Sequence, residues 1–429
     1  MIEKLALAGG TPVLGQPLPP YNSLGEEEVS AVEAVVRSGS LSGFYGSWGA
    51  EFLGGTKVKE FERAWAARFD VPYVVSVNSA TSGLFAALGA LGVGPGDEVI
   101  VPPYTMSATV MAPLVYGGIP VFADIEDETF CLDIESVRAA IGPRTRAIIA
   151  VNLFGHPARL AALAELAAAR GVALIEDNAQ GPLAEENGRY AGTIGDIGVF
   201  SLNYHKHVHA GEGGMCVTRD PQLALRLQAI RNHAENIVEP AGIASLANMV
   251  GFNYRLTELS AAVGLEQLRK IDGHVQRRQQ LAERLSEGVR DLEGLLPPAV
   301  RAGCRHVYYV WAMRIEEEAL GVPRAAFSKA LAAEGFPHFV GYTRPLYLLP
   351  AFQKRIAIGS NGWPFTLTER RYDPGLCPVS ERLYERELVC FETCAYDVDE
   401  RHADLLIEAI RKVHANRHVL RATVDAVSA

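Results

Sequence analysis

Short runs of apolar and β-branched residues alternate with Ala- and Leu-rich stretches from about Tyr73 to Val217. That alternation predicts a mainly parallel sheet covered by helices, an α/β class of fold. Seven strands are expected: Tyr73 to Val77, Glu98 to Val101, Pro120 to Ala123, Ala147 to Asn152, Ala173 to Glu176, Ile197 to Ser201 and Gly214 to Thr218. Helices are expected at Thr81 to Leu91, Arg159 to Arg170 and Gln222 to Asn232, where apolar positions recur at helical spacing. Beyond Arg255 the pattern lengthens into two helices, Thr257 to Lys270 and Val275 to Leu292. The remainder mixes a strand at Val307 to Met313 with helices at Arg324 to Glu334 and Glu400 to Ala415, which suits a smaller α/β domain.

A chain of 429 residues exceeds what one core usually serves. We expect an N-terminal segment over 1–56, a large domain over 57–275, and a linking helix with a small C-terminal domain over 276–429. Two irregular stretches interrupt the pattern. Ser38 to Thr56 interleaves Gly43, Gly46, Gly49, Gly54 and Gly55 with Phe44, Tyr45, Trp48 and Phe52, and Gly359 to Pro374 is rich in aromatic and Pro residues. At least one is expected to shape a substrate pocket.

A net charge of -10 without a basic cluster argues against a nucleic-acid partner. No run of eighteen apolar residues and no apolar leader is present, so neither a membrane span nor export is expected and the cytoplasm is the expected location. The six cysteines are scattered without a C-x-x-C pair, which indicates buried free thiols rather than zinc or disulfides. Cys390 and Cys394 would lie one turn apart if their segment were helical.

The chemistry centres on Lys206, which follows an apolar strand and precedes the Gly-rich turn Gly211-Glu212-Gly213-Gly214. A lysine that forms a Schiff base must be partly desolvated so that its amine can lose a proton. Asp177 ends a strand at the edge where open α/β sheets bind ligands, and a carboxylate there can face a protonated pyridine nitrogen or simply cap a turn. Asn78-Ser79-Ala80-Thr81-Ser82-Gly83 joins a strand to a helix, so it is both an anion site and an ordinary N-cap. Neither G-x-x-x-x-G-K-[ST] nor G-x-G-x-x-G occurs at that turn, which removes the usual nucleotide fingerprints.

With Thr81, Asp177, Ser201, Lys206 and the Gly-rich turn in this order, the chain resembles the DegT–StrS family of fold-type-I aminotransferases, from about Leu5 to Val413. The most specific segments are Glu176-Asp177-Asn178-Ala179-Gln180, Gly195-Asp196-Ile197-Gly198-Val199-Phe200-Ser201 and Gly251-Phe252-Asn253-Tyr254-Arg255-Leu256. The resemblance implies pyridoxal 5'-phosphate as cofactor, with Lys206 as its Schiff-base lysine and proton carrier, and Asp177 as partner of the pyridinium. It implies that Gln180 packs near the ring and its O3' oxygen, and that Ala80, Thr81 and Ser201 meet the phosphate. Asn253 matches a residue that reaches the phosphate from a neighbouring subunit, which implies a homodimer with shared active sites.

Two features depart from the family pattern. Met106 stands where an aromatic residue usually stacks on the cofactor; its thioether contact is worth about 0.3–1.5 kcal/mol against about 0.5–1.5 for an aromatic pair. Tyr104 is an alternative stacking residue. His205, His207 and His209 alternate around Lys206, and in an extended segment they would share one face and leave Lys206 on the other. No carboxylate or Cys ligand stands alongside, so hydrogen bonding is expected rather than a metal site.

The implied reaction moves an amino group from glutamate or glutamine to a ketone on a sugar, possibly nucleotide-linked, or on a cyclitol. Leu5-Ala6-Leu7-Ala8-Gly9-Gly10-Thr11-Pro12 resembles the branch holding cyclitol aminotransferases and aminohydroxybenzoate synthases. A nucleotide diphosphate would need basic partners, for which Arg344 and Lys354 are the candidates. The rival readings are a sugar dehydratase, which in this superfamily commonly replaces the lysine with His, and a non-catalytic regulatory member of the same fold. Retention of Lys206 speaks against both.

Overall fold

The computed structural model describes residues 3–420, and Met1, Ile2 and residues 421–429 lie outside the described residues. The seven expected strands form one sheet: β1 (Tyr73–Val77), β2 (Glu98–Val101), β3 (Ile119–Phe122), β4 (Thr145–Val151) and β5 (Ala173–Asp177), then, past a short hairpin of β6 (Glu185–Glu186) and β7 (Arg189–Tyr190), β8 (Ile197–Ser201) and β9 (Gly214–Thr218). Their order is β1-β9-β8-β5-β4-β2-β3. Only β9 runs antiparallel to its neighbours, so the sheet is mainly parallel as expected.

Nearly every residue of β2, β3, β5, β8 and β9 is buried, which is why these strands read as continuous apolar runs. Helices α1 (Ala80–Ala90), α2 (Ser107–Val115), α3 (Leu160–Arg170) and α4 (Pro221–Arg231) cover the sheet. Gly83 of α1 lies so close that an added Cβ would sit 2.8 Å from Val199. The helix therefore packs against β8 at near-backbone distance.

One expectation fails in the long helices. Thr257 to Lys270 and Val275 to Leu292 are a single helix, α5 (Glu258–Val289). The intervening Gly273 is exposed and a Cβ there would touch nothing. Glycine inside a helix costs about 1 kcal/mol, and burial of Ile271 and Val275 on either side outweighs it.

A second, four-stranded sheet follows α5 in the order β10 (Leu295–Leu296), β12 (Val310–Ile315), β14 (Leu388–Glu392) and β13 (Phe339–Val340); β11 (Cys304–Arg305) pairs with β6. Helices α6 (Arg324–Ala333) and α7 (Glu400–Ala415) pack beside it around Trp311, Phe327 and Phe391. Cys390 is in β14, opposite Ala312 and Phe339, and Cys394 lies beyond the strand, so the helical spacing considered for this pair does not apply. The apolar run Leu388-Val389-Cys390-Phe391 is buried between two neighbouring strands, which favours a strand over a helix. All six thiols are free, and only Cys304 is not fully buried. Among the described residues no helix is long and apolar enough to cross a membrane.

Candidate active site

The parallel strands all end at one edge of the large sheet, and the residues that follow them converge there on a cavity of about 210 Å³. Ser79, Ala80 and Thr81 come from the turn after β1, and Thr105, Met106 and Ala108 from the segment after β2. Val151 ends β4. Asp177, Ala179 and Gln180 come from the end of β5, Ser201, Asn203, His205 and Lys206 from the end of β8, and Glu212 and Gly213 from the turn into β9. Placement at the carboxyl edge of a parallel sheet is where this architecture binds ligands.

The first turn of α1 offers N–H donors to the cavity. Ser79 caps the helix by accepting from Ser82 N–H at 3.0 Å. The cap is thus Ser79, which leaves Thr81 in the first turn with its side chain exposed. The N–H groups of Ala80 and Thr81 have no acceptor within the described residues. Gly214 allows β9 to approach this turn: a Cβ there would lie 2.8 Å from Ala80 N. Free donors at a helix N-terminus suit a phosphate.

Asp177 also lines the cavity, buried at the end of β5. Its Oδ2 accepts from Thr109 Oγ1–H at 2.7 Å and its Oδ1 from Ala179 N–H at 3.2 Å. Burial raises its pKa; the Thr109 and Ala179 donors and the Lys206 charge pull it back down. A protonated ring nitrogen is the partner such a carboxylate lacks. Gln180 is fixed at both ends of its amide, with Oε1 accepting from Phe154 N–H at 2.7 Å and Nε2 donating to Tyr342 Oη at 3.0 Å.

Lys206 lines the same cavity. Burial lowers its amine to about 8, against the opposing pull of Asp177, Cys394 and Glu392. A substantial neutral fraction is then available near pH 7–8, which a nucleophilic amine requires. An N-terminal phosphate cradle, a lysine with a depressed pKa and a buried carboxylate together fit pyridoxal phosphate. A model of the DegT/DnrJ/EryC1/StrS aminotransferase family matches residues 22–388.

The chain belongs to this family. It is an aminotransferase that depends on pyridoxal 5'-phosphate. Two L-glutamine:2-deoxy-scyllo-inosose aminotransferases, from Streptoalloteichus tenebrarius and Streptomyces kanamyceticus, are each 36% identical to it. The matches cover 97% and 98% of this chain and 99% of each relative. The solved structure of DesI in the presence of its TDP-sugar product superposes with a TM-score of 0.81 at 27% identity, covering 99% of both chains.

Within this aminotransferase several expectations change. Tyr104 does not replace the stacking ring: it is fully buried, donates to Gly341 O at 2.6 Å and stays outside the cavity lining. Met106 does line the cavity and is 58% exposed, so the thioether is free to meet a ring. The 204–209 segment is a turn, closed by Lys206 N–H to Asn203 O at 2.9 Å, and is not extended. The three histidines therefore do not share a face. His205 lines the cavity, His207 Nε2 meets Val307 O at 2.9 Å, and His209 Nε2 meets Ser23 Oγ at 2.9 Å.

Asn253 lies outside the cavity of its own chain, with its Oδ1 accepting from Arg255 Nε–H at 2.7 Å. Neither the 38–56 loop nor the 359–374 stretch borders that cavity, contrary to expectation for a single chain. Phe44 of the loop instead packs on the guanidinium of Arg231 at 4.7 Å. Sequence reasoning missed Thr109, Tyr309 and Tyr342. Thr109, three residues past Met106, had a helical spacing that could have revealed it; the other two come from distant segments with no local signal. A larger cleft of about 590 Å³ around Asp124 to Thr129 lies elsewhere, and its Glu126 and Asp127 are already paired with Arg159, Arg314 and Arg382.

Proposed function

We propose that the chain transfers the amino group of glutamine, or of glutamate, to the ring ketone of a cyclitol. Among the described residues lining the cavity Lys206 is the only Lys or Arg, and Arg344 and Lys354 lie outside it, so this chain's own lining offers a nucleotide diphosphate no cation beyond the cofactor-holding lysine. That observation, with the two inosose-aminating relatives, supports a cyclitol over a nucleotide-linked sugar.

In this reading Lys206 holds the cofactor through its amine and, when that amine is free, carries a proton to and from the substrate carbon. The bound cofactor supplies the electron sink and the temporary home for the amino group. Asp177, aligned by Thr109, holds the pyridinium charge. Ala80, Thr81 and Ser201 bind the phosphate, Gln180 and Met106 flank the ring, and Asn253 reaches the phosphate of a second copy of the chain, making the working unit a homodimer of the cytoplasm. Residues 57–275 form the cofactor-holding domain, and 276–429 the linking helix and small domain.

Coupled assays with a panel of ketocyclitols and nucleotide ketosugars, with glutamine or glutamate as donor, test the substrate. Turnover of nucleotide ketosugars with none of ketocyclitols refutes the proposal. Lys206→Ala should abolish multiple turnover and the borohydride-sensitive absorbance near the visible edge; normal turnover by that variant would remove Lys206 from its role.

A further inference from the structure

The four-stranded sheet reaches into the active site at a point that the mechanism above leaves unused. Tyr309, immediately before β12, presents the face of its ring to Lys206, with Nζ 4.2 Å from the ring centroid. The ring is 6% exposed and is held from three sides. His205 and His207, the neighbours of Lys206 in sequence, lie with ring centroids 6.1 Å and 6.2 Å away. The hydroxyl points to Glu392 at the end of β14, donating to Oε1 at 3.4 Å. Three consecutive residues of the lysine turn thus converge on one aromatic side chain.

We propose that Tyr309 is a positioning residue whose ring face is the resting site of the Lys206 ammonium whenever the amine is released from the cofactor. A cation over an aromatic face is attracted by the ring quadrupole, and more strongly where water is excluded. The Lys206 amine has no hydrogen-bond or ion-pair partner among the described residues, and the Tyr309 ring face is the group set against it. The platform keeps the protonated amine in one place between taking a proton and giving it back. It also explains why Glu392, a carboxyl whose pKa burial raises, stands behind the ring rather than in contact with the amine. A carboxylate in direct contact would hold the proton on lysine; a ring face holds the ammonium without raising its pKa so far.

The groups that face Lys206 are Asp177 from β5, Glu392 from β14, Cys394 beyond it, and His205 and His207 on its own turn. Arg278 of α5 stands behind Cys394, donating to its sulfur at 3.0 Å. Asp177 and Glu392 favour the ammonium and burial opposes it, and the ring adds to the first side.

The inference rests on Lys206 being the cofactor-holding lysine, but its test needs neither cofactor nor turnover, so the two can fail separately. In the cofactor-free protein, acetylation of Lys206 by trace acetic anhydride, quantified by mass spectrometry across pH, gives the midpoint of the amine. Pentafluorophenylalanine at position 309 keeps the ring's shape and reverses the charge of its face; Tyr309→Phe keeps both the shape and the face. We expect the fluorinated ring to lower the midpoint by about 0.5–1.5 pH units relative to Tyr309→Phe, with thermal midpoints alike. Tyr309→Phe itself should titrate close to wild type. Equal midpoints for the two rings overturn the proposal, as does a Tyr309→Phe midpoint displaced as far as the fluorinated one, which would place the effect on the hydroxyl and Glu392.

Discussion

Thr109 Oγ1 donates to Asp177 Oδ2 at 2.7 Å, both groups fully or almost fully buried. The threonine sits in the first turn of α2, two residues after Ser107, and Asp177 ends β5, so a helix and a strand together set the direction of the carboxylate. A hydrogen bond to a charged group contributes about 1.5–3 kcal/mol. Thr109→Val should therefore raise the Asp177 pKa further and weaken cofactor binding by about tenfold to a hundredfold. Equilibrium dialysis of pyridoxal phosphate measures this, and unchanged affinity would show that Asp177 needs no such support.

Gly214 is required by proximity. Its Cβ would fall 2.8 Å from Ala80 N, 2.8 Å from Ser79 C and 2.9 Å from Phe200 O, all of them backbone atoms that cannot rotate away. Gly214→Ala should shift β9 or the first turn of α1 and cost about 1–3 kcal/mol, as overpacking does. Because the shifted atoms include the expected phosphate donors, cofactor affinity should fall along with the thermal midpoint. A variant with native affinity and a lowered midpoint would separate the packing from the anion site.

Arg231 is completely buried and donates through Nη1 to Glu62 Oε1 at 2.7 Å and to Ser76 O at 3.1 Å, tying α4 to β1. Arg231→Met leaves Glu62 and the Ser76 carbonyl without their cation, a loss of about 3–5 kcal/mol for a broken buried pair. Denaturant unfolding should register it. Glu62→Gln should cost less, since Arg231 keeps the Ser76 carbonyl.

The strands of the large sheet were legible because most of their residues are buried, so that they appear as largely apolar runs. Lys206, Asp177 and the Ala80–Thr81 turn were legible from their place at the ends of those strands, Gln180, Ser201 and Met106 only through the family resemblance, and all seven line one cavity. What depends on distant segments was not. Tyr309 and Tyr342 reach the site from beyond α5 and carry no spacing that ties them to Lys206. The helices expected at Thr257 to Lys270 and Val275 to Leu292 are one because the buried stripe of α5, with Ile271 and Val275, continues across Gly273. The histidine alternation suggested an extended segment, but the Asn203 carbonyl closes a turn there and sends the three rings in different directions.

The depressed pKa of Lys206 has a consequence for stability. Burial lowers the amine to about 8 from an ordinary value of 10.5, so between those two pH values the unfolded chain binds more protons than the folded one. Stability of the cofactor-free protein therefore rises with pH through that window, and below about pH 8 the full cost of burying the ammonium is present. Replacing the amine with an apolar chain of similar length, Lys206→Met, removes the cost. The variant should be more stable than wild type near pH 7, and its advantage should shrink steadily between pH 8 and 10.5. The same titration governs cofactor capture, because only the neutral amine attacks a carbonyl, so the rate of loading should climb through about pH 8 and level off above it. His205 cannot supply this transition: burial, reinforced by the Lys206 charge, lowers it to about 4, so it is neutral throughout. Thermal melts of both proteins across pH, with stopped-flow loading of the wild type, check the two halves together. A stability difference that stays flat from pH 7 to 10.5 would mean that Lys206 titrates as an exposed amine.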